Sequence, residues 1–178
     1  MARGRYESYL TELRYRGGVI DGYASRLHYF SEWLSDNDAK GLVRVVTGDL
    51  GPSSDREPIW FMSMHADAYR QLADLDVLAE IEAMEARLSA GPGRLYVPED
   101  RIADIARDIR DGDVIAVTST LEGLDVAHTG LAIWRDGRLH LIHAPLVGDA
   151  VQISERPLAD RILSISTQDG IMVGRPIF

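Results

Sequence analysis

The segment from Gly112 to Val147 constrains the fold of this chain more than any other, because it has the pattern of three β-strands with a tight hairpin. Its sequence is GDVIAVTSTLEGLDVAHTGLAIWRDGRLHLIHAPLV. The apolar and β-branched runs predict strands at Ile115–Thr118, His128–Trp134 and Leu139–His143. The dipeptide Asp136-Gly137 between the last two runs is typical of a two-residue hairpin turn.

This turn predicts the register of the two strands that it joins. With Asp136 and Gly137 as the loop residues, the expected pairs are Arg135 with Arg138, Trp134 with Leu139, Ala132 with Leu141, and Gly130 with His143. Alternate side chains share a face, so His128 and His143 become diagonal neighbours, about 7–8 Å apart at the backbone. His140 falls on the opposite face. A register slip of one residue would move one of the two histidines to the wrong side.

Composition bounds the class of protein. A chain of 178 residues is long enough for one domain with a proper core, and we predict a single domain over residues 1–178. The 19 basic and 28 acidic residues give a net charge of −9, which argues against nucleic acid and anionic membranes as partners. No apolar run approaches the roughly 20 residues of a membrane span. The first residues, MARGRYESYLTELRYRGG, lack the apolar segment of a signal peptide.

The order of the predicted elements indicates an α+β fold. Apolar residues recur at helical spacing in Tyr6–Leu13, Ala24–Leu34, Leu75–Leu88, Pro98–Arg110 and Pro157–Ile162. Further strands are predicted at Leu42–Thr47, Ala150–Ile153 and Gly170–Val173, and a polar loop at Gly51–Pro58. Helices come first and hairpin-linked strands cluster late, which is typical of an antiparallel sheet packed with helices. Strands that are apolar on both faces predict a sheet that is covered on both sides or curled.

The converging histidines have three interpretations. In the first, His128 is a general base that His143 orients, and a nucleophile lies on a neighbouring element. In the second, both histidines bind zinc together with Asp125 or Asp67, and a bound water is the nucleophile. In the third, they are hydrogen-bonded core residues without chemistry, which is the commonest case for an arbitrary sequence. The chain has no cysteine, which excludes disulfides, thiolate metal sites and a cysteine nucleophile within these residues.

Three sequence motifs, in order along the chain, carry a resemblance to a known family. They are RYRGGVIDGYASRLHYFSEW, FMSMHADAY and GDVIAVTSTLEGLDVAHTGLAIWRDGRLHLIHA. From about Leu13 to Pro176 the chain resembles the N-acetylmuramoyl-L-alanine amidase-like family, within the NlpC-type, papain-like cell-wall hydrolases of bacteria. The resemblance implies a papain-like α+β fold, in which a cysteine at the start of a helix packs against the sheet that carries the base.

The resemblance also assigns site residues and a substrate. His128 in GLDVAHTGLAI matches the catalytic base, and His143 in LHLIHA matches the residue that orients it. The expected substrate-binding residues are Arg26, His28 and Tyr29 of the RLHY segment, Ser63 and His65 of the MSMH segment, and Asp125. The implied partner is a muropeptide or peptidoglycan fragment, with no cofactor and no metal. The implied location is periplasmic or extracellular.

The chain departs from the family at two places. The family's nucleophilic cysteine lies in a DC-T-FVE type segment upstream of the matching residues, so we expect Met1 to fall inside that helix. We therefore expect an N-terminally truncated amidase-like domain that is inactive. Pro145-Leu146 stands where small serines usually follow the histidine-alanine pair. The alternatives are a non-catalytic muropeptide-binding domain and a zinc-dependent amidase, for which the sequence places no third ligand well.

Overall fold

The structure, a computed structural model, describes residues 29–145 and 150–177. The predicted helix Tyr6–Leu13, Arg26 and His28 lie outside these residues, as does Leu146. The α-helices within the described part are Phe30–Ala39 (α1), Phe61–Met64 (α2), Leu75–Ala90 (α3), Ile102–Ile105 (α4) and Leu158–Leu163 (α5). No helix among the described residues is long and apolar enough to cross a membrane.

In the described part of the chain, eight strands form one antiparallel sheet. They are Val43–Val45 (β1), Ser53–Asp55 (β2), Arg94–Pro98 (β3), Val114–Ser119 (β4), Val126–Arg135 (β5), Arg138–His143 (β6), Gln152–Ile153 (β7) and Gln168–Pro176 (β8). Their spatial order is β2-β3-β8-β4-β5-β6-β7, and β1 pairs with β8 outside this path. The mixture of helices with an antiparallel sheet confirms the predicted α+β class.

The β5–β6 hairpin has the predicted register. Arg135 pairs with Arg138, Trp134 with Leu139, and Ala132 with Leu141. The ladder ends at Leu131 and Ile142, one residue before the predicted pair of Gly130 with His143. Asp136 and Gly137 adopt φ angles of 51° and 74°, as a type I′ turn requires at both central positions. The local turn chemistry therefore decides which side chains of the two strands share a face.

Helices cover both faces of the sheet. On one face, strand residues such as Ile115, Val117 and Leu141 pack with α4 and α5 in the largest buried cluster. On the other face, Ala116 packs with Leu34 of α1. Alternate residues of β4 thus enter different cores, so the sheet is covered on both sides.

The predicted helix Pro98–Arg110 is wrong as a continuous helix. One α-helical turn, α4, lies between 3₁₀ turns at Glu99–Arg101 and Ala106–Asp108. Ile109 is extended and buried, and its carbonyl accepts from the Trp134 indole N–H at 2.9 Å. Bonds to the neighbouring strand thus replace those of a longer helix, and they carry Ile109 into the main core.

Two further boundaries differ from the prediction. Helix α1 continues through the polar run Ser35–Asp38 to Ala39, where the Asn37 amide donates to the Trp33 carbonyl at 2.7 Å. The predicted polar loop Gly51–Pro58 contains strand β2, which pairs with β3. Asp55 on this strand accepts a hydrogen bond from Arg94. This long-range ion pair holds a strand that has few apolar residues.

Candidate functional site

The two predicted histidines meet on one face of the sheet. His128 Nε2 lies 2.8 Å from His143 Nδ1, so one of these nitrogens donates a hydrogen bond to the other. The rings are nearly perpendicular, at 81°, with their centres 4.9 Å apart. His143 is buried and His128 is half-buried, so the pair sits at the boundary between core and solvent.

A β-bulge positions His128 on β5. Thr118 pairs with Val126, whereas the preceding residue Val117 pairs with His128, which leaves Ala127 as an extra residue on β5. Such a bulge bends its strand and re-aims the side chains beside it. The bulge therefore sets the direction in which His128 leaves the strand towards His143.

The surroundings of His143 favour a neutral ring. Burial lowers the pKa of His143, and the positive charge of Arg161 lowers it further. A neutral His143 can accept a hydrogen bond at Nδ1 from the Nε2–H of His128. In that tautomer His128 carries its lone pair on Nδ1, which is the arrangement of a general base held by an orienting partner.

Tyr29 lies in the interior and links helices α2 and α3. Its hydroxyl donates to Glu85 Oε1 at 2.7 Å and accepts from the Met62 N–H at 2.7 Å. The same Glu85 oxygen accepts from the Ser63 N–H at 3.0 Å. Burial, above all, raises the pKa of Tyr29. Sequence reasoning missed Glu85, since a carboxylate on an amphipathic helix gives no local sign that it is buried.

Ser63 and His65 lie at and just after the short helix α2. The Ser63 hydroxyl donates to the Trp60 carbonyl at 3.2 Å. His65 Nδ1 lies 2.6 Å from the Phe61 carbonyl, so this nitrogen carries the proton. Both side chains are half-buried, and the network around Tyr29 and Glu85 fixes the backbone beside them.

Asp125 supports the backbone on two sides. Its side chain is buried. Its Oδ2 accepts a hydrogen bond from the Ser31 N–H of α1 at 3.0 Å, and its Oδ1 accepts one from the N–H of the neighbouring Val126 at 2.7 Å. Asp67 is exposed. Within residues 29–145 and 150–177, no three His, Asp or Glu side chains are grouped as metal ligands. The zinc interpretation thus finds no third ligand in the described part of the chain.

A cleft of about 320 Å³ lies beside the connection between β4 and β5. Its lining includes Asp55, Arg94, Glu122, Asp125 and Asp169. Arg94 is the buried cation of this region: its Nη2 donates to Asp55 at 2.6 Å and to Asp169 at 2.8 Å. Sequence reasoning missed Arg94 because its partners are distant along the chain.

Comparison with known proteins gives the family. The model of the AmiA-like, N-acetylmuramoyl-L-alanine amidase-like family matches residues 2–171. An N-acetylmuramoyl-L-alanine amidase from Bacteroides uniformis ATCC 8492 is 38% identical with a TM-score of 0.81, over 94% of this chain and 71% of that one. A Bacteroides fragilis protein, provisionally named a xylanase, is 36% identical with a TM-score of 0.79, over 92% of this chain and 72% of that one.

A more distant structure shares the fold alone. A protein from Legionella pneumophila str. Philadelphia 1 is 19% identical with a TM-score of 0.53, over 94% of this chain and 67% of that one. No curated protein matches the chain. The family match covers nearly the whole chain, and the chain therefore belongs to the AmiA-like, N-acetylmuramoyl-L-alanine amidase-like family.

Proposed function

We propose that this chain carries the base and the orienting residue of a cysteine-type peptidoglycan amidase with an NlpC-type, papain-like core. The main support is the 2.8 Å contact between His128 Nε2 and His143 Nδ1, in a chain that belongs to the amidase-like family. The proposed substrate is a muropeptide, and the bond is the amide between the lactyl group of N-acetylmuramic acid and L-alanine. Family membership supports a periplasmic or extracellular location.

The proposed chemistry requires a thiol beside His128. His128 Nδ1 takes the thiol proton, and the thiolate attacks the amide carbonyl while backbone N–H groups stabilise the oxyanion. The amine of L-alanine leaves with the proton from His128, and water then hydrolyses the thioester. Neutral His143 accepts from Nε2–H throughout, so it also stabilises the imidazolium that forms.

The nucleophile is missing from these residues. The 178 residues contain no cysteine. We therefore expect the chain by itself to have little or no amidase activity. The proposed chemistry requires a thiol that is not among these 178 residues.

The absence of cysteine also favours a second function, a muropeptide-binding domain without catalysis. Such a domain would bind the muropeptide through Ser63 and His65 and would keep the histidine pair as structure. Asp125 would then serve the fold through its bonds to Ser31 and Val126, rather than the substrate. Binding without cleavage separates this function from the first.

The test compares the 178-residue chain with a protein extended through the reading frame upstream of Met1. Both are incubated with a purified muropeptide, released stem peptide is measured by mass spectrometry, and His128→Ala is the control in each background. We expect cleavage by the extended form alone, and its loss in His128→Ala. His128-dependent cleavage by the short chain would overturn the cysteine mechanism.

Two further measurements separate the alternatives. If neither form cleaves, titration calorimetry of the short chain with the muropeptide distinguishes a binding domain, which releases heat, from a protein without this function. Metal content after purification tests the zinc-dependent amidase, which requires close to one zinc per chain. Negligible zinc removes that alternative.

A further inference from the structure

The loop between β4 and β5, Thr120–Asp125, joins the histidine pair to the rest of the site. The Gly123 carbonyl accepts from the N–H groups of Trp60 and Phe61 at 3.1 and 3.0 Å, next to the segment that carries Ser63 and His65. The Asp125 carboxylate accepts a hydrogen bond from the Ser31 N–H at the start of α1. His128 follows three residues later, after the bulge. A shift of this loop would therefore move both predicted parts of the site, which are the histidine pair and the segment with Ser63 and His65.

Arg94 binds both ends of this loop. Its Nη1 donates to the carbonyl of Ser119, the last residue of β4, at 3.0 Å, and to the carbonyl of Asp125 at 3.2 Å. These two carbonyls stand at the two ends of the loop. One guanidinium nitrogen therefore bridges the ends, beside the backbone bond that the Ser119 N–H donates to the Asp125 carbonyl at 3.2 Å. The Arg94 side chain is only 11% exposed, which means that water competes little for these bonds.

The remaining nitrogens of Arg94 fix its own orientation. Nε and Nη2 donate to Asp55 of β2, and Nη2 also donates to Asp169 of β8. The guanidinium carbon lies 4.6 Å from the centre of the Tyr96 ring, a cation–π contact. Asp169 is held in turn by the Thr118 hydroxyl at 2.5 Å, on the strand pair where the bulge occurs.

We propose that Arg94 is a positioning residue for His128. It holds the two ends of the β4–β5 loop so that the bulge delivers the His128 ring to His143 in one tautomer and orientation. This inference rests on the proposed function, because it matters for activity only if His128 is the base. Its physical content is independent of activity: without the loop bonds of Arg94, the bond between the two histidines weakens.

The decisive variant is Arg94→Lys, with Arg175→Lys as its matched control. Lysine keeps the positive charge for Asp55 and Asp169, but an ammonium group cannot also reach both loop carbonyls in the geometry of a planar fork. Arg175 also binds a carboxylate through two guanidinium nitrogens, but its partner is Asp113, in a different part of the sheet. Its replacement tests for general damage to a buried fork without touching the loop.

The measurement is the ¹⁵N NMR spectrum of the histidine rings together with amide hydrogen exchange of the loop. In Arg94→Lys we expect the His128 Nε2 and His143 Nδ1 resonances to move towards values for averaged tautomers. We expect exchange at residues 120–126 to become at least about tenfold faster. In Arg175→Lys both should stay as in the parent chain. Histidine resonances in Arg94→Lys that match the parent would overturn the proposal.

Failure of the proposed function gives a different result. If the parent chain, extended or not, neither binds nor cleaves a muropeptide, the amidase assignment fails while the NMR comparison remains valid. If Arg94→Lys does not fold, Arg94→Lys with Asp55→Asn relieves the excess negative charge, and the same spectra are recorded. Unchanged histidine resonances in that folded double variant would equally contradict the role of Arg94.

Discussion

Two arginine forks, which are guanidinium groups that bind a carboxylate through two nitrogens, lie at opposite ends of β8, and they differ in what they bind. At one end, Arg175 on the strand binds one carboxylate, Asp113, through Nε at 2.9 Å and Nη2 at 2.7 Å. At the other end, Asp169 shares Arg94 with Asp55. Both arginines also bind backbone: Arg175 Nη2 donates to the Asp108 carbonyl at 2.8 Å, and Arg94 Nη1 donates to the two loop carbonyls of Ser119 and Asp125. The first fork joins β8 to the start of β4, whereas the second organises a loop of the candidate site.

Charge balance differs in the same way. The bonds to Asp113 raise the pKa of Arg175, and the charges of Asp113, Asp49 and Asp108 add to this against the effect of burial. Burial lowers the pKa of Arg94, but the bonds and charges of Asp55 and Asp169 more than offset this and raise it. With two carboxylates for one cation, either carboxylate of the Arg94 fork can be lost without leaving the cation alone. Arg175 is bonded to the carboxylate of Asp113, whereas the carboxylates of Asp49 and Asp108 act on it through their charges without a hydrogen bond in the described residues.

The largest expected effect is therefore at Asp113. Asp113→Ala removes the carboxylate that binds Arg175 and the acceptor of the Arg110 N–H. Removing one partner of a buried ion pair costs about 3–5 kcal/mol of unfolding free energy, measured by urea denaturation. Asp136→Asn, at an exposed position of the hairpin turn, is the control and should change little. A loss below about 1 kcal/mol for Asp113→Ala would mean that the fork is not a stabilising element.

At the other fork, Asp55→Asn should cost less. Arg94 retains Asp169 and the loop carbonyls, and asparagine keeps one acceptor oxygen, so we expect a loss of about 1–2 kcal/mol in the same assay. The comparison predicts this value to be clearly below that of Asp113→Ala. Equal losses at the two positions would show that sharing a cation gives no protection.

The lowered pKa of His143 should have a smaller, pH-dependent effect on the unfolding free energy. Its pKa in the folded protein lies below the usual value of 6.5, so the unfolded chain takes up this proton first as the pH falls. The unfolded state then binds more protons, and stability falls as the pH drops through 6.5 towards the lowered pKa. Urea unfolding at several pH values between about 7.5 and 5.5 measures this slope.

The control for this slope is His143→Gln, which has no titrating group at the position. We expect a shallower dependence of stability on pH over the same range, whatever its absolute stability. An identical slope in the variant would mean that His143 is not the source. A slope of the opposite sign in the parent chain would mean that its ring is charged in the folded state.

The smallest effect is expected at an exposed arginine pair. Arg138 Nη2 lies 2.9 Å from Asp160 Oδ2, but these side chains are 58% and 47% exposed. Solvent screens such a pair, so Asp160→Asn should change the unfolding free energy by at most about 0.5 kcal/mol. If Asp160→Asn lowered the unfolding free energy as much as Asp55→Asn does, burial would not explain the difference between the forks.

The β5–β6 hairpin and the shared face of its two histidines follow from the local sequence. Asp136 and Gly137 tolerate positive φ, so the turn type and register follow from two adjacent residues. A side-chain period of two then places His128 and His143 on one face. The sequence motifs also sufficed for the family, because each spans only neighbouring residues. These features are local, and local chemistry decides them.

The contacts of Arg94, Glu85 and Asp125 follow from long-range packing and could not be predicted from the sequence. Arg94 meets partners 25 to 75 residues away, and Glu85 meets the Tyr29 hydroxyl across 56 residues. The isoleucines of Pro98–Arg110 have helical spacing, yet bonds to Trp134 and Asp113 end the helix early. Burial and long-range pairing depend on which distant segments come together, and a local pattern does not carry that information.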